Sequence, residues 1–255
     1  MGTLSSISEY LQSASCRSKI RTARALADER RRGGAERRFA TAHPALDRLL
    51  AGGLERGATI ELVGGRSSGR FAVVMSVLAA VTGTGEAAAL IDLGDGFDPR
   101  TAEAAGVDLA RLLWVRPRRM KDVLASAEVI LGTGIPFVVV ELGMPPLIGG
   151  RGAEAAWLRL ARLARAHRAA LLVASPYRAS GTSAQVVLEL PRARPRWNGD
   201  GPRLLQGIDA TVELVKSRRA EHRGLGHRHL SEAVSWSVGG PTPLSQRSEE
   251  RRAVA

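Results

Sequence analysis

From Ala45 to about Lys216 the chain repeats one arrangement. A short run of Val, Leu, Ile and Ala, apolar at successive positions, is followed by a stretch with helical spacing. Strands that are apolar on both faces and separated by helices predict an α/β fold, with a mostly parallel central sheet covered on both sides. The runs place strands at Ala58–Val63, Ala88–Leu93, Leu112–Val115, Phe137–Leu142, Ala170–Ser175, Ala184–Leu190 and Ala210–Val215. Helices are expected at Arg70–Val81, Pro99–Ala105, Lys121–Leu131 and Glu154–His167. The last two strands have no helix between them. The stretch Pro191–Pro202 reads as a hairpin loop, so that end of the sheet is expected to be antiparallel. At 255 residues and 44% hydrophobic, the chain is large enough for one such domain with tails, and 4% aromatics leaves the core to aliphatic side chains.

The flanks read differently. Residues 1–44 are polar and basic, with Arg17, Lys19, Arg21 and Arg24 near helical spacing and a Gly33-Gly34 break, as in a basic helix or arm. The core is assigned to residues 45–219. Residues 220–255 are rich in Gly, Ser, Pro and Arg and are expected to be a disordered tail. No run reaches the ~18 apolar residues of a membrane helix, and no secretory signal opens the chain. The lone Cys16 allows no intrachain disulfide and fits a reducing compartment. These features imply a cytoplasmic protein with no membrane partner. A net charge of +12 points to an acidic partner, nucleic acid or an acidic protein face, although an Arg-rich composition alone raises the charge in the same way.

One turn carries chemical information. Gly64-Gly65-Arg66-Ser67-Ser68-Gly69-Arg70-Phe71 keeps the two glycines of the phosphate-loop pattern G-x-x-x-x-G-K-[ST], between an apolar strand and an apolar helix. Arg70 stands where Lys reaches the phosphates, and Phe71 stands where a hydroxyl holds Mg²⁺. A benzyl ring cannot ligate a metal. The planar guanidinium is larger than the compact ammonium it replaces. The turn reads as kept for shape and stripped of its reaction.

Around it lie Leu46-Asp47-Arg48-Leu49-Leu50-Ala51-Gly52-Gly53-Leu54-Glu55-Arg56-Gly57, then Ile91-Asp92-Leu93-Gly94-Asp95-Gly96-Phe97-Asp98-Pro99, then Ala105-Gly106-Val107-Asp108 and Leu112-Leu113. This succession resembles the ATPase core of bacterial RecA from about Ala45 to Arg219. The resemblance implies a RecA-like phosphate-loop fold and marks what is altered. Gly94 stands at the family's water-activating Glu, Thr101 at an adenine-stacking Tyr, Glu141 at the metal-binding Asp that closes Val138-Val139-Val140, and Pro176 at a phosphate-sensing Gln. Gly64, Ser67, Ser68, Gly69 and Asp98 are retained. With Arg70 and Glu141 they form a degenerate nucleotide site. Hydrolysis is not expected, no cofactor is assigned, and weak non-hydrolytic ATP binding is left open.

The family's DNA loops correspond to the short stretches Pro145–Gly152 and Tyr177–Ser183, which makes Arg151 and Arg178 candidate DNA contacts. Lys216 and Arg218 stand where the family has two lysines that reach a neighbouring subunit's nucleotide, so they are candidates for contact with RecA. Arg159, Arg162 and Arg165 recur every three residues along one predicted helix, opposite Trp157, Leu160, Ala161 and Ala164, and Arg168 continues the series. The pattern fits a core-facing stripe with a solvated basic edge, or a ridge for DNA or an acidic partner. The five histidines have no Cys or carboxylate partners at ligand spacing, so no metal site is assigned. No Ser/His/Asp constellation is apparent either.

A small, basic RecA-like core without the family's chemistry resembles the ImuA family of mutasome accessory proteins. That resemblance implies a non-catalytic role in the DNA-damage response and translesion synthesis. The implied partners are RecA, an ImuB-like inactive Y-family polymerase, an error-prone replicative-type polymerase and, as a further candidate, DNA. It also implies a cytoplasmic, nucleoid-associated location. Lys216 and Arg218 would allow docking on RecA that limits filament growth. The alternatives are an active DNA-dependent ATPase or recombinase, and a division inhibitor of the SulA type.

Overall fold

The computed structural model describes residues 38–143, 153–198, 204–218 and 230–237. The strands are β1 (Arg38–Phe39), β2 (Leu54–Glu55), β3 (Thr59–Gly64), β4 (Ala88–Asp92), β5 (Leu112–Val115), β6 (Phe137–Glu141), β7 (Ala170–Ser175), β8 (Val186–Leu190), β9 (Ala193–Asn198), β10 (Leu204–Ser217) and β11 (Leu230–Ser237). The helices are α1 (Pro44–Leu49), α2 (Arg70–Gly83), α3 (Pro99–Ala104), α4 (Met120–Thr133) and α5 (Ala153–His167). Among the described residues, nine strands form one sheet in the order β11-β10-β8-β3-β7-β6-β4-β5, with β9 paired to β10. From β8 through β5 the pairs are parallel. The pairs of β10 with β8, β9 and β11 are antiparallel. The α/β architecture is therefore the one that the two-sided apolar runs imply.

Alternation along the strands explains the layering. Ile60, Leu62, Leu90, Val139 and Leu172 join one core with α2. Ala89, Ile91, Val138, Val140, Leu171 and Val173 join another with α4 and α5. Successive strand side chains point to opposite faces, so a strand apolar at every position supplies both cores at once. The chain leaves β3 through α2 and returns in β4, beyond β7 and β6. That crossover leaves the carboxyl ends of β3, β7, β6 and β4 at the same end of the sheet, the end where open α/β sheets bind ligands.

Three expectations need correction. Residues 230–237, placed in a disordered tail, form β11. There Val234 and Trp236 are buried on the sheet face that carries Ala210 and Val212. The rest of the tail lies outside the described residues. The stretch 191–202, read as a loop, contains β9, a strand paired with β10 on one side, where exposed Pro195 removes no ladder bond. The domain also begins before Ala45. β1 pairs antiparallel with β2 and Phe39 is buried in the core, while residues 1–37 lie outside the described set. Among the described residues no helix is long and apolar enough to cross a membrane.

Candidate nucleotide site

The Gly64 turn has the shape that its glycines predict. A Cβ at Gly64 would overlap the Ser68 hydroxyl, and Gly69 caps α2 at a φ of 86°. Ser67 also takes a positive φ, 58°. Only glycine adopts such angles without strain, which explains Gly69. Ser68 Oγ accepts the amide N–H of Arg70 at 3.3 Å. That amide opens the helix and is one of the donors a bound phosphate would otherwise meet.

The Arg70 side chain turns inward. The residue is 8% exposed. Its Nη1 donates to the Gly64 carbonyl, and its Nη2 donates to Glu141 Oε1 at 2.6 Å. Glu141, at the end of β6, is 3% exposed, and its Oε1 also accepts the Gly143 amide at 3.1 Å. Burial pushes the Glu141 carboxyl above its ordinary range, although Arg70 pulls it the other way. Asp92 lies beside Glu141 in the β4–β6 register, fully buried, and its Oδ2 accepts the Phe97 amide at 2.9 Å. Arg70 Nε, Glu141 Oε2 and Asp92 Oδ1 are buried without a hydrogen-bond partner among the described residues. The turn thus brings a cation to a protein carboxylate at the place where a phosphate-loop cation faces a ligand.

The residues present do not fit a magnesium nucleotide. Phe71 is half-buried and packs against the α2-side core, where a metal-binding hydroxyl would have to stand. A Cβ on Gly94 would lie 2.7 Å from the Cα of Gly143, so the backbone of the β6 exit occupies the space of any acidic side chain at position 94. Gly143 answers with a φ of 66°. Asp98 is turned to a local task as the N-cap of α3, accepting from the Thr101 amide at 2.9 Å and the Thr101 hydroxyl at 2.5 Å. The bond from the Thr101 hydroxyl holds the Asp98 carboxyl below its usual range.

Residues 28–144 match the RecA N-terminal domain. Over 99 residues the chain is 38% identical to Protein RecA of Lactobacillus delbrueckii, a stretch that covers 38% of this chain and 30% of that protein. It is 37% identical over 100 residues to Protein RecA of Clostridium acetobutylicum, covering 39% of this chain and 29% of that one. Protein RecA of Picosynechococcus is 32% identical over 97 residues, covering 38% and 28%. Residues 28–144 are thus similar to the RecA N-terminal domain. The chain aligns with less than a third of each relative's length. The RecA-like match includes the Gly64 turn, Gly94, Asp98 and Glu141, and ends before Arg151, Arg178, Lys216 and Arg218.

Beyond the RecA-like match, Arg178, Lys216 and Arg218 are among the described residues. Arg178 pairs with Glu189 at 2.8 Å on the exposed surface. Its loop is fastened from several sides. Glu61 Oε1, fully buried on β3, accepts the amides of Ala179 and Ser180. Arg218 Nη2 donates to the Thr182 carbonyl, and Gln185 Oε1 accepts the Thr59 amide. A loop held this way is a fixed element beside β3, in the middle of the sheet. Arg151 lies outside the described residues. Lys216 pairs with Val187 of β8, whereas Gly64 lies level with Leu190. Lys216 and Arg218 therefore stand at the opposite end of the sheet from the Gly64 turn.

Sequence reasoning missed Gly143, Asp92, Glu61 and Trp236 as parts of this region. Trp236 packs its ring over Gly69, 3.3 Å from where a Cβ would lie, and donates from Nε1 to Ser76 Oγ at 2.9 Å. Its signal was present in the alternation Leu230-Ser-Glu-Ala-Val-Ser-Trp-Ser, which is strand-like. Gly143 carried no such signal, because its role depends on a contact with Gly94 across two strand ends. Among the described residues no group of three or more His, Cys, Asp or Glu is arranged to hold a metal ion.

Proposed function

We propose that this chain is a non-catalytic, RecA-like accessory protein of the DNA-damage response, of the ImuA type, acting in translesion synthesis. The observation that carries the reading is the buried Arg70–Glu141 pair. The guanidinium that would meet a phosphate is committed to a carboxylate of the same chain, and the carboxylate that would hold a metal is committed to Arg70. With the space at Gly94 filled by Gly143, no acid can stand where water would be activated. The turn keeps the strand-to-helix geometry, and the internal pair stands where a nucleotide would, so no cofactor is required.

In this reading the chain works by contact. Lys216 and Arg218, on the edge away from the Gly64 turn, dock on the ATP-bearing face of RecA. Such a subunit offers no working ATP face to the next one and so limits filament growth. The other partners are an ImuB-like inactive Y-family polymerase and an error-prone replicative-type polymerase, with DNA as a further partner, in the cytoplasm at the nucleoid. The test is a pull-down with the full chain from DNA-damaged cells, repeated with K216E/R218E. Recovery of RecA and the two polymerases by the wild type, with RecA lost from the charge-reversed variant, is expected. Recovery of none of them, or unchanged recovery of RecA by the variant, would overturn the reading.

A further inference from the structure

Helix α5 turns a basic edge to solvent that plays no part in the Gly64 turn. Its inner side, with Trp157, Leu160 and Ala164, is buried. Its outer side carries Leu158, Arg159, Arg162 and Arg165, all exposed, and Arg168 follows directly after the helix. A step of three residues advances about 4.5 Å along a helix and turns about 300°. The three helical arginines therefore fan over about a third of the circumference within some ~9 Å of length. Arg159 meets Glu128 only at 3.9 Å, with both side chains about half exposed. The side chains of Arg162, Arg165 and Arg168 make no hydrogen bond or ion pair among the described residues.

The ridge continues toward the end of the sheet at which β3 begins. The Cα atoms of Arg165 and Arg168 border Gly57, just before β3 begins. The short turn Gly181–Ser183, which packs on α5, receives Arg218 at the Thr182 carbonyl. Like charges this close repel one another unless an anion lies across them. The net charge of +12 offers little relief from elsewhere in the chain.

We infer that this ridge binds the phosphate backbone of DNA without reading its sequence. Arginine's planar fork fits phosphate with two hydrogen bonds. The exposed side of α5 carries no Asn, Gln, Phe, Tyr or Trp to read or stack a base, and a row made of arginine alone suits the repeating phosphates better than a mixed base sequence. An acidic protein face is the weaker match, because protein interfaces centre on buried aromatic anchors and the ridge offers only Leu158. The proposal rests on neither Arg151 nor Arg178. It also stands independently of the partner reading above, since it rests on charge and exposure alone.

The test uses the full chain and a labelled 20-base-pair duplex, followed by fluorescence anisotropy from about 50 to about 200 mM salt, with R162E/R165E/R168E, R162Q/R165Q/R168Q and R162K/R165K/R168K as variants. The wild type is expected to bind with log K falling linearly against log salt. Each lost phosphate contact lowers that slope by about 0.9. The charge-reversed and Gln variants should therefore lose about 2.7 of the slope and at least about tenfold in affinity, while the Lys variant keeps most of both. The Gln and Lys variants decide the matter if the reversed protein fails to fold. No binding by the wild type, an unchanged slope in the Gln variant, or equal competition by polyglutamate would overturn the proposal. Recovery of RecA in the pull-down is read separately, so either proposal can fail without the other.

Discussion

Two Arg–Glu pairs in this molecule, one half-buried and one buried, differ in how completely they are satisfied. Arg56 and Glu86 meet through both guanidinium nitrogens, one at 3.0 Å, and Arg56 lies over the Phe39 ring at 3.8 Å. Arg70 and Glu141 meet through a single nitrogen at 2.6 Å and leave Nε and Oε2 buried without partners among the described residues. The first pair joins the β2–β3 turn to the approach of β4 and behaves as ordinary scaffold. The second stands at the strand ends where a RecA-like fold would bind its ligand, and it leaves buried polar atoms unsatisfied. Desolvation makes such orphaned groups expensive. Their persistence at one pair and not the other sets the pair at the Gly64 turn apart from the structural one, as the proposed function expects.

Single truncations should produce the largest effects. R70A leaves Glu141 buried and uncompensated and is expected to cost about 3–5 kcal/mol, or a melting temperature lower by about 10 °C, in urea and thermal unfolding. Removing both members sharpens the contrast. R70M/E141L discards two orphaned atoms and should leave stability unchanged or raised by about 1–4 kcal/mol, whereas R56M/E86L breaks a satisfied pair and should lower it. Equal effects of the two double variants would erase the distinction.

Next in size is the filled space at position 94. G94A drives a methyl into the Gly143 backbone and is expected to lose about 1–3 kcal/mol. G94E, which returns an acid to that position, should be less stable still and gain no ATP turnover.

A smaller effect follows from protonation. Burial raises the Glu141 carboxyl, so the group is more readily protonated folded than unfolded. Its favourable contribution is present below the unfolded value and is lost as pH rises through the folded value. Denaturation curves from about pH 4 to about pH 8 should therefore decline by up to about 1.4 kcal/mol per unit within that window, and E141Q should flatten the decline. A slope unchanged in E141Q would place the titration elsewhere.

The smallest effect is at the exposed end of the same region. D98A removes the α3 cap and should lower the melting temperature only slightly. Because Thr101 holds the Asp98 carboxyl low, that contribution is present above the ordinary carboxylate range and fades as pH falls through the lowered value.

Much of this architecture was legible because Val138-Val139-Val140 and Leu171-Leu172-Val173 are apolar at every position, and only a doubly covered sheet accommodates that. The strand β11 was not, because the Gly-, Arg- and His-rich residues before it masked an alternation whose partner, β10, is supplied by tertiary pairing. The strand β9 was hidden by prolines and arginines that an edge position tolerates. At the site, the glycines and the substituted Arg70 were visible in the motif. The pairing with Glu141 was not, since it joins residues 71 positions apart and depends on β7 lying between β3 and β6. Gly143 was invisible for the same reason. Its meaning lies in a backbone contact with Gly94 that no local pattern encodes.

The central claim is that an internal ion pair stands where a RecA-like fold would hold a nucleotide. It is tested most directly by thermal unfolding of the full chain with and without saturating magnesium ATP. Any ligand that binds the folded state raises its stability, by about 2.7 kcal/mol at a hundredfold excess over Kd. The account predicts no shift for the wild type. A rise of several degrees, reversed by mutating Arg70, would contradict it.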